Sequence, residues 1–467
     1  MTTALPAPPA PLSTPGRPRP RRGTLLHLFA APTLADRRSW RLPVVAFAVI
    51  TTIVLDVIGG AAMFWRMTGD IAPLYRMLST LAVILLVLPL ATLAVSATKL
   101  SARRRDDRLA ALRLVGASSA TLRGLTLAES GANAFAGIVL GLVGYGLSLP
   151  LLGMLHFGGH AIGGTSLLLD GVVLLGVVAA LMALALVSSA VGLRRVEISP
   201  LGVRMRQEAA GVSRWRVVIG AVLLVAAVLA AQSARLLQVK LGAIVGVAVS
   251  LSVIATGLII VDIVGPRLLA LHMRRRLRRS RTAVDLVAAR MVLESPRAAW
   301  RQVAALGSAC FVGVAGGSGV ALMKMASAQA TAQDLALIHD VQTGIILTLA
   351  FAFATVACSV GVNQAAAVLD RRDVEVGLDV VGMTLGQQDA ARRKAVLSPL
   401  WFVMAVSVGS AAVVLAPLVG AALLMQPLTI LVTAAVMALG AGLVIVGLRA
   451  TRPVLSSVLG EGLARAE

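Results

Sequence analysis

The side chain best placed for chemistry is Asp56, a carboxyl group inside the apolar segment 44–65. If this segment crosses a bilayer, an ionised carboxylate near its middle costs at least about 2.5–3.5 kcal/mol to insert. In a cleft between helices, contact with a substrate or a transferred proton can offset this insertion free energy. A protonated carboxyl that is hydrogen-bonded to a neighbouring helix avoids it. The sequence leaves both interpretations of Asp56 open.

Other reactive side chains do not form a recognisable catalytic or metal-binding set. His156 and His160 lie four residues apart, but no carboxylate or cysteine near them in the sequence offers a third ligand. Cys310 and Cys358 each lie inside an apolar segment, as small buried thiols do. The chain has no GxxxxGK[ST] phosphate-binding loop. We therefore predict that it is not an enzyme and that it holds no metal or cofactor of its own.

Long apolar segments must position these side chains. The chain of 467 residues is 58% hydrophobic and 14% charged, whereas soluble domains have about 45–50% apolar and about 25% charged residues. A helix needs roughly 20 apolar residues to cross a bilayer core. We predict an all-α, polytopic transmembrane helical bundle. Its ten spans are expected at 44–64, 77–98, 127–153, 167–193, 217–233, 241–264, 303–323, 341–366, 396–425 and 428–448.

Basic residues fall almost entirely on one side of the predicted membrane. With the N-terminus in the cytoplasm, 38 of the 43 Lys and Arg residues lie in cytoplasmic segments and five lie in the opposite loops. Cytoplasmic loops are expected to carry such an excess. Adding or removing one span would invert the later loops and destroy the asymmetry. The charges therefore predict an even number of spans with both termini in the cytoplasm.

The net formal charge of +22 raises the question of nucleic-acid binding. The basic residues lie in the short connections between apolar segments, and only 3% of the residues are aromatic. Too few aromatic side chains are present to stack on bases. We therefore expect the lipid bilayer, and no nucleic acid, as the partner of these charges.

Two predicted cytoplasmic segments resemble each other. Residues 105–118 read RDDRLAALRLVGAS, and residues 371–384 read RRDVEVGLDVVGMT. At an offset of 266 they share a leucine, a valine and a glycine, namely Leu112, Val115 and Gly116 against Leu378, Val381 and Gly382. Shorter matches occur before and after them in the same order, at offsets of 260 and 253. This pattern indicates a duplicated unit, as in many transporters.

The repeat divides the ten spans into groups of four, two and four. Each unit is expected to hold an interfacial leading helix, four spans, and a cytoplasmic helix between its second and third spans. The predicted regions are a disordered Pro- and Arg-rich cytoplasmic tail (1–23), a first unit (24–206), a two-span linker with a basic cytoplasmic segment (207–283), a second unit (284–455) and a cytoplasmic tail (456–467).

Residues 105–118, followed by Glu129 at the start of the third span, resemble the FtsX-like permease family. Its members are the membrane subunits of MacB- and LolC-type ABC transporters. The second copy departs from the pattern, because Asp379, Met383 and Ala395 stand at the positions of Arg113, Ala117 and Glu129. Many relatives carry large extracytoplasmic domains after the first span of a unit. The corresponding loops here, 65–75 and 324–340, are too short for one.

The resemblance implies that the cytoplasmic helices at 103–121 and 370–390 contact an ATP-binding subunit. The implied coupling residues are Arg104, Arg105, Asp106, Leu112, Arg113, Gly116 and Glu129 in the first unit, and Arg371, Arg372, Asp373, Leu378 and Gly382 in the second. The resemblance also implies two copies of a separate ABC-type ATP-binding subunit, which would hold ATP and Mg. It implies a bacterial cell membrane as the location.

The expected function is that of the permease subunit of an ABC exporter for a hydrophobic or amphipathic compound, such as an antibiotic, a peptide or a lipid. Two alternatives stay open. A proton-coupled secondary transporter would use Asp56 as its relay and would work without ATP. A non-transporting signal transmitter would use ATP-driven motion to alter an enzyme of the cell envelope.

Overall fold

A computed structural model describes residues 37–69, 71–114, 119–197, 243–326, 331–370 and 372–449, with a few isolated positions between 222 and 229. The backbone divides into two compact parts, Met1–Arg41 and Leu42–Glu467. Of the first part, the described residues 37–41 are helical. The predicted tails 1–23 and 456–467 lie outside the described residues.

The described ranges are helical apart from one short hairpin and its flanking loops. The helices are α1 (Arg37–Arg66), α2 (Ala72–Leu114), α3 (Ser119–Gly153), α4 (Gly171–Glu197), α5 (Ala243–Arg278), α6 (Ala283–Glu294), α7 (Pro296–Ala326), α8 (Ala332–Asp370), α9 (Arg372–Val380), α10 (Leu385–Val414), α11 (Ala416–Met425) and α12 (Pro427–Arg449). Strands β1 (His156–Phe157) and β2 (His160–Ala161) pair antiparallel, and a 3₁₀ turn follows at Gly164–Leu167.

Eight helices in the described ranges are long and apolar enough to cross a membrane. They are Pro43–Arg66, Ala72–Ala91, Thr126–Gly153, Gly171–Ala190, Pro296–Met325, Ala332–Val368, Leu385–Val414 and Pro427–Arg449. They correspond to the predicted spans one to four and seven to ten. The predicted fifth span, 217–233, lies mostly outside the described residues, and residues 243–264 of the sixth belong to α5. The chain is therefore an all-α, polytopic bundle of apolar helices.

The predicted ninth span, 396–425, is wrong as one continuous helix. Helix α10 ends at Val414, and the separate ten-residue helix α11 begins at Ala416. The linking residue Leu415 has φ −107° and ψ 27°, and Pro417 follows at the start of α11. Proline has no backbone N–H to bond the carbonyl of Val413, four residues before it, and its ring would clash there, so it fits the start of a new helix better than the interior of α10. The break falls in an unbroken apolar sequence, so hydropathy alone did not reveal it.

The cytoplasmic helices predicted at 103–121 and 370–390 have other boundaries. Residues 103–114 continue α2 without a break, because strong helix formers extend the span beyond the apolar segment. In the second copy, α9 is described over Arg372–Val380, and Arg371 before it lies outside the described residues. Residues 385–390 already belong to α10, whose first turn is closed by a capping box of Thr384 and Gln387.

Helices α1 and α3 approach closely because α3 presents glycines to α1. A Cβ atom built on Gly137, Gly141 or Gly144 would lie 2.4 Å from an atom of Phe47, Thr51 or Thr52, respectively. Their spacing along one side of α3 is typical of close helix packing in membranes. The Thr52 hydroxyl also donates to the Gly141 carbonyl at 3.0 Å.

The largest buried cluster joins α5 to α8, α10 and α12 around Trp300 of α7. The Trp300 indole N–H donates to Asp262 Oδ1 at 3.0 Å. Gly265 makes room for the ring, since a Cβ atom there would lie 1.9 Å from it. Helix α5 is thereby fixed against α7 through one glycine and one carboxylate.

Helices α2 and α8 pack against each other along the middle of the bundle. Leu93 and Ala94 of α2 share a buried cluster with Val362 and Ala366 of α8. Close to them, the hydroxyls of Ser96 and Ser359 lie 3.5 Å apart. We call the end of the bundle that carries β1, β2 and the start of α8 the hairpin end. The opposite end, with residues 274–279 of α5 and with α9, is the basic end.

Candidate functional site

Asp56 lies in a polar network between α1 and α3. Its side chain is 6% exposed, and Oδ1 accepts a hydrogen bond from the Ser148 hydroxyl at 2.6 Å. One turn before Ser148, the Tyr145 hydroxyl donates to the carbonyl of Leu167 at 2.6 Å. This geometry is that of a carboxyl group held by a neighbouring helix. Asp56 lines neither of the two cavities described below, and its role in a substrate path stays a prediction.

At the hairpin end, Asp340 joins three elements. It lies near the start of α8, is 3% exposed, and accepts hydrogen bonds from the Tyr75 hydroxyl at 2.5 Å and from the Gly158 backbone N–H at 2.7 Å. Tyr75 begins α2, and Gly158 is the first turn residue of the hairpin. A buried carboxylate needs such donors, and removing it leaves them unsatisfied.

Aromatic rings cover this junction. The ring of Phe64 stacks on Tyr75 at a centroid distance of 5.5 Å, and it meets Phe157 edge-on at 5.2 Å. The turn that presents the Gly158 N–H has two glycines with φ of 65° and 81°, as a tight two-residue hairpin requires. The sequence did not reveal Asp340 as a functional residue, because its partners lie 182 and 265 positions away.

A cavity of about 480 Å³ opens between α2 and α8 toward the basic end. We call it the central cavity. Its polar lining consists of Ser96, Ser295, Arg301, Gln302, Ser359, Asn363, Gln364, Glu375 and Arg392. The apolar lining is mostly alanine. Such a mixture can hold the polar part of an amphipathic molecule, because hydroxyl, amide and guanidinium groups converge on one space.

Buried charges surround the central cavity where α9 meets α10. Glu375 is 2% and Arg392 is 5% exposed, and the charge of Arg392 interacts with Glu375 and Asp389. Within the described ranges, Arg392 Nη1 and Gln302 Nε2 are buried atoms without a hydrogen-bond partner. Both residues line the cavity. Unpaired buried donors are costly, so a ligand or water that accepts from them would be favoured.

The predicted coupling residues of the first unit are only partly described. Arg104, Arg105, Asp106, Leu112 and Arg113 lie in the helical backbone of α2, but their side chains fall outside the described residues, as does Gly116 entirely. Glu129 is half-buried near the start of α3. The structure therefore describes this element as helix up to Leu114 and leaves the roles of its side chains as predictions.

In the second unit, Arg372 and Asp373 begin α9, Leu378 is half-buried within it, and Arg371 lies outside the described residues. Gly382 ends the helix with φ 93°. Its N–H donates to the Asp379 carbonyl at 2.8 Å, and the Met383 N–H donates to the Leu378 carbonyl at 2.9 Å. These two bonds form a Schellman motif, for which glycine is the preferred residue.

Helix α9 exposes apolar side chains that the sequence did not single out. Val374 is 59%, Val380 is 82% and Val381 is 85% exposed, whereas Glu375 on the same short segment is buried. An inverted pattern of this kind, with a carboxylate inside and valines outside, is typical of a surface that another protein or a membrane covers. The pair of adjacent valines before a glycine is the signal that could have indicated it.

Within the described residues, no three His, Cys, Asp or Glu side chains are grouped to hold a metal ion. No known family model matches the chain, and neither the curated proteins nor the solved structures yielded a similar one.

Proposed function

We propose that this chain is the permease subunit of an ABC transporter of the FtsX-like type, with ATP hydrolysed by a separate subunit. The observation that carries the proposal is the surface of α9. The helix that the sequence assigns to ATPase docking presents Val374, Val380 and Val381 outward beside a rigid Schellman turn. Three exposed valines on a short helix at the end of a membrane bundle favour docking on a soluble protein.

The proposal includes ten spans in groups of four, two and four, both termini in the cytoplasm, and a bacterial cell membrane. Support comes from the eight candidate spans and from the sequence match between residues 105–118 and 371–384 at an offset of 266. The basic end is then the cytoplasmic end. One permease chain with two duplicated units would meet two copies of the ATP-binding subunit, one through each unit.

Force from the ATPase would reach the membrane through α9. The buried side of this helix carries Glu375, which lines the central cavity together with Arg392 of α10. A displacement of α9 would therefore change the cavity wall. The hairpin end is held together at Asp340 while the basic end contains the cavity. In an alternating-access cycle this arrangement is the state that receives cargo from the cytoplasm.

The cargo under this proposal is a hydrophobic or amphipathic compound such as an antibiotic, a peptide or a lipid. The lining of the central cavity favours an amphipathic one, since its alanines alternate with hydroxyl, amide and guanidinium groups. Export is the proposed direction.

The docking claim is tested by purifying the full chain from its native membrane and measuring bound ATPase activity. The double variant V380D/V381D places two charges in the proposed contact and is expected to lose the ATPase. Charge reversal of Arg371 and Arg372 should weaken binding as well. The control is L286D, because Leu286 is 48% exposed on α6 and lies outside the proposed contact.

Retention of the ATPase by V380D/V381D would refute the assigned docking helix. ATP-independent export that is abolished by D56N would favour the proton-coupled alternative. A chain that binds and stimulates an ATPase but leaves cargo in the cell would favour the signal transmitter. Export is measured as efflux of a labelled amphipathic compound from inside-loaded cells.

A further inference from the structure

A second cavity, of about 540 Å³, lies at the basic end between α5, α6 and α10. We call it the basic cavity. Its polar and charged lining consists of His272, Arg275, Arg276, Arg279, Ser280, Asp285, Lys394 and Ser398. Four permanent cations therefore face one carboxylate in a space whose volume is typical of ligand pockets.

Three arginines of the basic run line this cavity. His272 lies three and four positions before Arg275 and Arg276 on one face of α5, and Arg279 follows in the turn after the helix ends at Arg278. Arg274 and Arg278 do not line the cavity, and we call them the outward face of the helix. All five arginines are exposed, so the two groups differ in whether they line the cavity and not in burial.

The single carboxylate is already neutralised. Asp285 Oδ1 forms an ion pair with Lys394 Nζ, and Oδ2 accepts from the Thr282 hydroxyl at 2.7 Å. The Lys394 ammonium and the Thr282 hydroxyl hold the pKa of Asp285 below its usual value, so the carboxylate is ionised at neutral pH. The three arginines are left as excess positive charge in the basic cavity.

One arginine is fixed and two are available to a ligand. Arg276 donates to the Ser398 hydroxyl at 2.8 Å, which ties α5 to α10. Within the described residues, the side chains of Arg275 and Arg279 have no hydrogen bond or ion pair of their own. Burial and the two neighbouring arginines lower the pKa of His272, which leaves its imidazole neutral at pH 7. Guanidinium pairs of this kind bind phosphate oxygens in bidentate geometry.

We propose that the basic cavity binds a phosphate group, carried either by an anionic phospholipid head group or by a soluble phosphate ester. Basic pockets between membrane helices hold anionic head groups by the same chemistry. The bound phosphate would bridge α5 to α10 beside the existing Arg276–Ser398 contact. It would thereby fasten the linker helix to the helix that follows α9. This inference is independent of the identity of the ATPase.

The test compares two double variants of the purified full chain in detergent. R275Q/R279Q removes two charges from the cavity, and R274Q/R278Q removes two charges from the outward face of the same helix. The probes are phosphatidylglycerol, phosphatidylcholine and inorganic phosphate, and the readout is the shift in thermal unfolding midpoint as each is titrated. Both double variants have the same net charge, so bulk electrostatics affects them equally.

We expect phosphatidylglycerol to stabilise the wild type and R274Q/R278Q, and R275Q/R279Q to bind it about tenfold or more weakly. Stabilisation by phosphatidylglycerol alone identifies a lipid head group, and equal stabilisation by inorganic phosphate identifies a soluble ester. The inference is overturned if both double variants lose binding equally, if phosphatidylcholine stabilises as well as phosphatidylglycerol, or if only an acidic peptide such as polyglutamate stabilises the chain.

Discussion

At the hairpin end, Asp340 accepts two hydrogen bonds that join α2, α8 and the hairpin, whereas at the basic end Arg392 and Gln302 face a cavity with donors unused. Both ends bury charged side chains, but they use them differently. Paired groups hold elements in one arrangement, because separating them exposes unsatisfied donors and acceptors. Unpaired groups beside a cavity gain partners when a ligand enters or when a neighbouring helix moves.

The same contrast appears in how helices are joined. At the hairpin end, β1 and β2 return the chain through two glycines and present a backbone N–H to Asp340. At the basic end, α9 ends in a Schellman turn at Gly382, beside the central cavity. A helix that ends in a turn beside a cavity can shift without separating a buried hydrogen-bonded pair, whereas a hairpin held by a buried carboxylate cannot. In the proposed transport cycle we therefore expect motion to begin at the basic end.

The largest effect is expected from D340A. Without the carboxylate, the Tyr75 hydroxyl and the Gly158 N–H lose their acceptor in a buried site, which should cost about 2–4 kcal/mol of unfolding free energy. The measurements are the thermal unfolding midpoint and amide hydrogen exchange of residues 155–165. Exchange at Gly158 should accelerate, because its N–H is no longer held.

The matched control for D340A is D334N, on the same helix. Asp334 is exposed and bonds to Thr331 alone, so its amide replacement should leave exchange at the hairpin unchanged. If D340A keeps the wild-type midpoint and the protection of Gly158, the hairpin end is not held by this carboxylate. The comparison between the two ends would then fail.

A smaller effect is expected from G382V at the basic end. Valine must adopt φ near 93°, and left-handed geometry costs a non-glycine residue about 1–2 kcal/mol. Part of that strain can be relieved by a shift of α9, so ATPase docking should weaken more than thermal stability. The control is G377A within α9, where φ is helical and a Cβ atom meets nothing within 4 Å. Equal ATPase binding by both variants would show that the turn does not position α9.

The spans were predictable because about 20 apolar residues in a row have few other stable environments. Eight candidate spans lie where hydropathy and charge put them. The break between α10 and α11 was not predictable from hydropathy, since Leu415 and Pro417 lie in a continuous apolar stretch. The extension of α2 through Leu114 was also missed. The change from apolar to charged residues ends the apolar segment, but it does not end the helix.

Of the candidate site, the sequence indicated Gly382, as a coupling residue implied by the family resemblance, but not the side chains around it. Its place at the end of α9 was predictable in principle, because a helix pattern followed by glycine is a local signal. Glu375 and Arg392 were not, because a charged residue in a cytoplasmic segment is usually solvated, and their burial depends on how α9 packs on α10. Asp340 depends on partners that only the tertiary fold brings near.

The smallest effect, and the finest test of the comparison, comes from two helix caps of the same kind. Thr331 caps α8 at the hairpin end through Asp334, and Thr384 caps α10 at the basic end through Gln387. T384A should cost about 1 kcal/mol, as loss of an N-cap hydroxyl usually does. Because Thr384 directly follows the turn at Gly382, its loss should also loosen α9.

T331A should have less effect, since Asp340 holds α8 two turns further on whether or not the first turn frays. The two alanine variants therefore differ in one respect, which is whether a buried tertiary hydrogen bond holds the same helix further along the chain. Hydrogen exchange should increase over α9 and the start of α10 in T384A, but only in the first turn of α8 in T331A. Fraying of α8 as far as Asp340 in T331A would mean that the hairpin end is as mobile as the basic end.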